Sequence, residues 1–173
     1  MTSAARLPQD SAPGEVTVEG ATARLVFRRH YHHPPERVWS AITEPEQLRS
    51  WMLTEARIDG RPGGSVDLVT GPDRVHATGR VLQWEPPRVC EYEWNVPPGP
   101  LMPSGEAAVI RWELTPDSDG TLLVLTHRHL SRATAAVFAR GQRGFLDRLS
   151  AQLDGRALPE WPPAPRGSAE DSA

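Results

Sequence analysis

Two His-x-His pairs, His30-Tyr31-His32 and His127-Arg128-His129, carry four of the six histidines. Alternate side chains of a strand share a face, so each pair can offer two ring nitrogens to one metal ion. A metal centre needs a further ligand, and neither pair has a carboxylate or cysteine at an obvious spacing. The sequence therefore predicts no metal site and no cofactor. Cys90, the single cysteine, rules out an intrachain disulfide framework, and it lacks the histidine partner or helix N-terminus that would stabilise a thiolate. It reads as a core residue. There is no Gly-x-Ser-x-Gly elbow and no dinucleotide fingerprint, and Gly63-Gly64 lacks the lysine and following helix of a phosphate loop. Nucleophilic and nucleotide chemistry are not expected, and no catalytic residue is assigned.

The residue types suit recognition of a flat, apolar molecule instead. Trp51, Met52, Tyr92, Trp94, Trp112 and Phe145 supply aromatic and thioether surface. His127 falls among apolar residues of a predicted strand, and Gly141 leaves room in a predicted helix. Together they form the candidate ligand-binding set. Each also has a plain structural reading, because the same aromatic and methionine residues fill cores. His127 serves equally as a hydrogen-bonded core histidine or as a partner for a ligand hydroxyl or carbonyl. Arg29 interrupts an apolar face, so its guanidinium either snorkels to the rim or meets a buried carboxylate. Glu91, Glu93, Arg111 and Glu113 alternate with inward positions and are expected as cross-strand charges on the outer face.

These residues must be positioned by elements that the periodicity outlines. Apolar residues alternating with mostly polar ones from Val16 to Tyr31 predict one long strand over 15–32. Pro34-Pro35 opens a short helix over 36–43, which Pro45 ends, and a second covers 46–52. Strands follow over 55–59, 65–70, 75–84, 89–96, 107–115 and 121–130, joined by turn-rich links that imply an antiparallel meander. The interruption at 97–105, with four prolines around Leu101-Met102, is the expected mobile flap. Alternation assigns one inner face to Cys90, Tyr92 and Trp94, to Ile110, Trp112 and Leu114, and to Leu123, Leu125, His127 and His129. A last helix over 131–154, stopped by Gly155, would be about 36 Å long. Gly141 and Gly144 inside it each cost roughly 1 kcal/mol relative to alanine. Something should need the space, either close packing or a ligand.

Length and charge bound the partners. The chain of 173 residues is expected to form one folded body over 15–156, between disordered tails over 1–14 and 157–173. Lys and Arg number 19 against 22 Asp and Glu, a net charge of −3 with no basic cluster, so no nucleic-acid partner is expected. The start has no signal-like segment and no apolar run is long enough to span a bilayer, which predicts a cytoplasmic protein with no membrane partner.

Several local motifs follow one another in order. They are Arg29-His30-Tyr31-His32-His33-Pro34-Pro35-Glu36-Arg37-Val38-Trp39, then Thr43-Glu44-Pro45-Glu46-Gln47-Leu48-Arg49-Ser50-Trp51, then Pro62-Gly63-Gly64. Gly79-Arg80-Val81, Pro86-Pro87 and Tyr92-Glu93-Trp94 come next. Leu114-Thr115-Pro116, Gly120-Thr121, Leu125-Thr126-His127 and Gly144-Phe145-Leu146-Asp147-Arg148-Leu149 complete the set. With the order strand, two short helices, six strands and a long helix, the chain resembles the START-like SRPBCC superfamily. The similar branch is that of the activator of Hsp90 ATPase homologue (C-terminal domain). Where that branch usually has tryptophan after the last glycine, this chain has Phe145.

The resemblance implies an α+β helix-grip (START/Bet v-like) fold, a curved antiparallel sheet wrapped around a long C-terminal helix, with a cavity between them. Related domains bind lipids, hormones or polyketides, act as cyclases, or serve as co-chaperones. The leading expectation is a non-catalytic protein holding a small apolar or aromatic molecule. One alternative is a polyketide cyclase or aromatase with His127, Tyr92 or Arg29 as general acid or orienting group. The other is an interaction protein serving a chaperone or regulator. The eukaryotic co-chaperone carries a further N-terminal domain, for which residues 1–14 offer no counterpart.

Overall fold

Strand alternation along the chain resolves into one sheet. The computed structural model describes residues 14–72 and 74–162. Its strands are β1 (Glu15–Glu19), β2 (Thr22–Tyr31), β3 (Leu53–Ile58), β4 (Ser65–Thr70), β5 (Val75–Glu85), β6 (Val89–Val96), β7 (Glu106–Asp117) and β8 (Gly120–Ser131). All neighbours are antiparallel, in the order β1-β2-β8-β7-β6-β5-β4-β3. Helices α1 (Pro35–Thr43) and α2 (Pro45–Trp51) carry the chain from β2 near one edge to β3 at the other. Helix α3 (Ala135–Leu153) lies against β2 and both short helices. This is the helix-grip architecture.

The predicted first strand is a hairpin rather than a single run. Gly20, with φ of +66°, starts a two-residue turn with Ala21, and Glu19 pairs with Thr22. Glycine takes that backbone conformation without steric cost. Val16 and Val18 therefore sit on an exposed edge strand, while Leu25, Phe27 and Tyr31 of β2 point into the core. Strand β7 runs on through Pro116, which pairs with Thr121 of β8. Proline is tolerated there because β6 pairing ends at Glu113, leaving that flank without a ladder partner.

Strand β8 departs from simple alternation at one place. His127 pairs with Leu25 and Leu130 with Ala23, so two residues of β8 oppose one of β2. His129 adopts a φ of +63° in this bulge and is exposed, whereas Leu130 is fully buried. The assignment of His129 to the inner face is thus corrected, and the second His-x-His pair does not share a face.

The final helix begins at Ala135, not Ser131, because β8 continues to Ser131. At 19 residues it is about 28 Å long. The Ser131 amide and hydroxyl and the Thr134 hydroxyl all donate to the buried carboxylate of Glu106, which ties the end of β8 to the start of β7. Gly155 ends the helix as expected. With φ of +66° it lets its own amide donate to the Gln152 carbonyl and the Arg156 amide donate to Ala151. Ala135, Phe138, Gln142, Leu146, Leu149 and Leu153 form the buried stripe of α3.

On the outer face, Glu91 accepts from Arg128 at 2.8 Å and from Arg111 at 3.2 Å, and Arg111 reaches Glu113 at 3.0 Å. The arginines hold the Glu91 carboxyl below its usual range, chiefly through the Arg128 hydrogen bond. These charges are structural, as their alternation implied.

Candidate functional site

A cavity of about 70 Å³ lies between the sheet and α3. Strands β3 to β5 contribute Leu53, Leu68, Thr70 and Val75, and β6 and β7 contribute Tyr92, Trp94 and Ile110. From α3 come Val137, Phe138, Gly141, Gln142 and Phe145. The 97–105 loop folds back through backbone bonds between Gly99 and Met102 and buries Met102 in the cavity wall. Gly141 explains part of the opening: a Cβ built on it would meet nothing within 4 Å. Gly144 has a different reason. A Cβ there would stand 2.7 Å from Pro162, which packs on the helix and completes the cavity wall.

Pro162 belongs to a segment that follows α3 without regular structure. Of the proline-rich tail expected at 157–173, residues 157–162 are described, and the rest lies outside the described residues, as does 1–13 of the first tail. Arg148 anchors the segment, donating to the Pro159 carbonyl and, at 2.7 Å, to the carbonyl of Trp51. Its guanidinium stacks 4.0 Å from the Trp161 ring, which also meets Phe145 edge-on. No sequence signal marked Arg148, because its surroundings come from α2 and the tail.

Polar groups are few around the cavity. Tyr92 accepts a hydrogen bond from the Trp112 indole at 3.2 Å, and burial pushes its phenol well above the usual range, so it stays protonated. Gln142 reaches the cavity and its amide lies 3.5 Å from Nδ1 of His127. His127 is fully buried behind it, edge-on to Trp94 and to Phe138 at 5.3 Å each. Burial lowers the His127 pKa to about 3, so the imidazole is neutral at physiological pH. Nε2 of His127 and Oε1 of Gln142 have no hydrogen-bond partner among the described protein groups. If Nδ1 accepts from Gln142, the pair is left with an N–H donor and a carbonyl acceptor. If the amide is turned over, it is left with an imidazole lone pair and an N–H. Either way it presents one donor and one acceptor.

Of the residues singled out in the sequence, Met52, Tyr92, Trp94, Gly141 and Phe145 line the cavity. Trp51, Trp112 and His127 do not. Trp51 is fully buried, donates its indole N–H to Ala41 at 2.9 Å and so locks α2 to α1, and Trp112 stacks edge-on against it at 6.4 Å. Arg29 is buried on β2, with its guanidinium 5.7 Å from the Phe27 ring, and is not part of the wall. Cys90 is buried, and burial raises its pKa far above that of a free thiol, so no nucleophile is present there. Gln142 was missed, although it occupies the i+4 position after Phe138 on the apolar stripe of α3. A polar residue breaking that stripe was the available signal.

The family profile described as "Activator of Hsp90 ATPase homolog 1-like protein" matches residues 32–154. The chain belongs to that family. Among solved structures, CalU16 from Micromonospora echinospora is 27% identical, with a TM-score of 0.66 over 81% of this chain and 83% of that one. Protein MLL2253 from Mesorhizobium loti is 25% identical, with a TM-score of 0.69 over 78% of this chain and 99% of the other. A Rhodobacter sphaeroides protein is 27% identical, with a TM-score of 0.65 over 82% and 95%. No curated protein matches the chain. Membership in this SRPBCC-type branch agrees with the helix-grip architecture. No described helix is long and apolar enough to cross a membrane.

Proposed function

We propose that this member of the activator of Hsp90 ATPase homolog 1-like family is a non-catalytic binding protein for a small, largely apolar molecule that carries one hydroxyl or carbonyl group. The observation that carries this reading is an apolar cavity lined by Gln142 with His127 behind it, whose remaining donor and acceptor are buried without partners among the described residues. Leaving such groups unsatisfied costs about 1–3 kcal/mol each, and a ligand hydroxyl in the cavity would recover that of Gln142, the member of the pair on its wall. The apolar body would lie against Trp94, Phe138 and Phe145, over Gly141.

At about 70 Å³ the cavity holds only a few heavy atoms, whereas sites for drug-sized ligands span about 300–1,000 Å³. Larger ligands would need a wall to give way, and the segment that carries Pro162, which has no regular structure, is the part of the wall held by the fewest backbone bonds. The same surroundings favour binding over catalysis: the cyclase reading needs an acid group converging on substrate, and His127, Tyr92 and Arg29 do not meet on the cavity wall. Native mass spectrometry of the purified chain with a panel of hydroxylated and unsubstituted aromatic probes tests the proposal. Uptake that prefers the hydroxylated probe and loses that preference in Gln142→Leu supports it. Failure to take up any probe, or equal uptake of both by the native chain, contradicts it.

A further inference from the structure

Away from the cavity, the turn between β7 and β8 brings Asp119 against the end of β2, where His30 and His32 project from one face. Nδ1 of His32 lies 3.0 Å from Asp119 Oδ2, and Nε2 of His30 lies 3.5 Å from Asp119 Oδ1. One ligand atom from each of the three residues lies within 4.8 Å of the other two. The two imidazole rings stand edge to face, 4.9 Å apart. Nε2 of His30 also lies 3.5 Å from the Asp117 carbonyl and 3.8 Å from its carboxylate. From this geometry we propose that His30, His32 and Asp119 form a binding site for a divalent transition-metal ion of the zinc class.

The donor set fits that class. Two imidazoles and one carboxylate suit borderline ions such as Zn²⁺ or Co²⁺ and are poor for Mg²⁺ or Ca²⁺, which prefer oxygen shells. With metal–ligand bonds of about 2.0–2.1 Å, ligand atoms in a tetrahedral shell stand about 3.3–3.4 Å apart. The 3.0 and 3.5 Å separations run to different oxygens of Asp119, and one atom from each residue lies within 4.8 Å of the other two, so the side chains must turn inward by up to about 1.5 Å to close that shell. Two-thirds of the His32 and Asp119 side chains remain exposed, at 66% and 67%, which leaves a coordination position for water.

The rest of the histidine inventory sharpens the assignment. Among the described residues, His76 with Asp67 and His33 with Asp154 are single histidine–carboxylate pairs at 2.8 Å, without a second ring. His127 is buried and His129 lies exposed in its bulge, outside the cluster. None of the three proposed ligands lines the cavity, so the two sites are separate. A bound ion would clamp the β7–β8 turn to the end of β2, just before α1 begins. The third ligand that the His30-x-His32 spacing lacked is supplied by a residue 87 positions downstream of His32.

Cobalt titration of the full-length, chelator-stripped chain, read by visible absorption and followed by zinc displacement, tests the site. One equivalent should saturate an intense low-symmetry Co²⁺ spectrum, and Zn²⁺ should abolish it. His32→Ala and Asp119→Asn should each weaken binding at least tenfold, while His76→Ala should leave it unchanged. Zinc should raise the thermal midpoint of the native chain and not that of His32→Ala. Absence of saturable binding, or equal affinity in the native chain and the His32→Ala and Asp119→Asn variants, overturns the proposal. Circular dichroism establishes that these surface variants fold, so neither outcome can be ascribed to unfolding.

Discussion

Gly141 and His127 carry the sharpest expectations for single residues. A helical glycine with open space at its Cβ costs about 1 kcal/mol relative to alanine, so Gly141→Ala should raise stability by roughly that amount. Gly141→Leu should keep a native thermal midpoint and yet block probe uptake, which separates a ligand cavity from an incidental packing gap. His127 sets an acid sensitivity. Its folded pKa, about 3, lies below the usual value near 6.5, so between these limits the unfolded chain binds a proton that the native chain does not. Stability is full above pH ~6.5 and should fall by about 1.4 kcal/mol per pH unit as pH drops through the window. Urea unfolding from pH 4.5 to 7.5 checks this, and His127→Asn should be less stable but flatter. An unchanged slope in the variant would refute the assignment. At this scale the sequence showed much of the site: alternation brought Tyr92 and Trp94 to the cavity and His127 behind its wall. It could not show that His129 turns outward, since a bulge depends on register with β2.

Among elements, α3 and the segment after it decide access. Pro162 packs where Gly144 has no side chain, and Arg148 ties Pro159 to the helix. Truncation after Leu158 removes that wall while preserving the Arg148 bond to Trp51. The truncated chain should take up probes faster, by stopped-flow fluorescence, with a stability loss of about 1 kcal/mol or less. Slower or unaltered uptake would show that the segment does not gate the cavity. Sequence periodicity placed α3 and its stop at Gly155 but began the helix four residues early. The predicted helix opened at Ser131, whose hydroxyl is instead spent, with that of Thr134, on Glu106, a partner from another strand. Gly20 could have divided the first strand, since the apolar positions change from even at Val16 and Val18 to odd from Ala21 onward, but Val16 and Val18 lie on an exposed edge and read as part of one run.

For the whole molecule, one buried cluster links β2 to β8 with all three helices, so folding should be a single cooperative event. Far-ultraviolet circular dichroism and tryptophan fluorescence should give coincident urea transitions; separated transitions would mean that α3 and the sheet unfold independently. Conversely, Val16→Lys with Val18→Lys on the exposed edge should change stability by no more than about 0.5 kcal/mol per site. The order of elements was legible because each strand and turn writes its own local pattern. The meeting of His30 and His32 with Asp119 was not, because only the closed sheet brings those distant positions together.

The segment that walls the cavity also carries its own optical probe. Trp161 rests on the Arg148 guanidinium and against Phe145, whereas Trp51, Trp94 and Trp112 are deep in the core. Displacing the segment would move the Trp161 indole into water and leave Trp51 and Trp112, which do not line the cavity, unchanged. Occupancy by a non-absorbing ligand should therefore appear as a red shift in intrinsic emission, and Trp161→Phe should silence it without weakening the core. The chain would then report its own filling without any label.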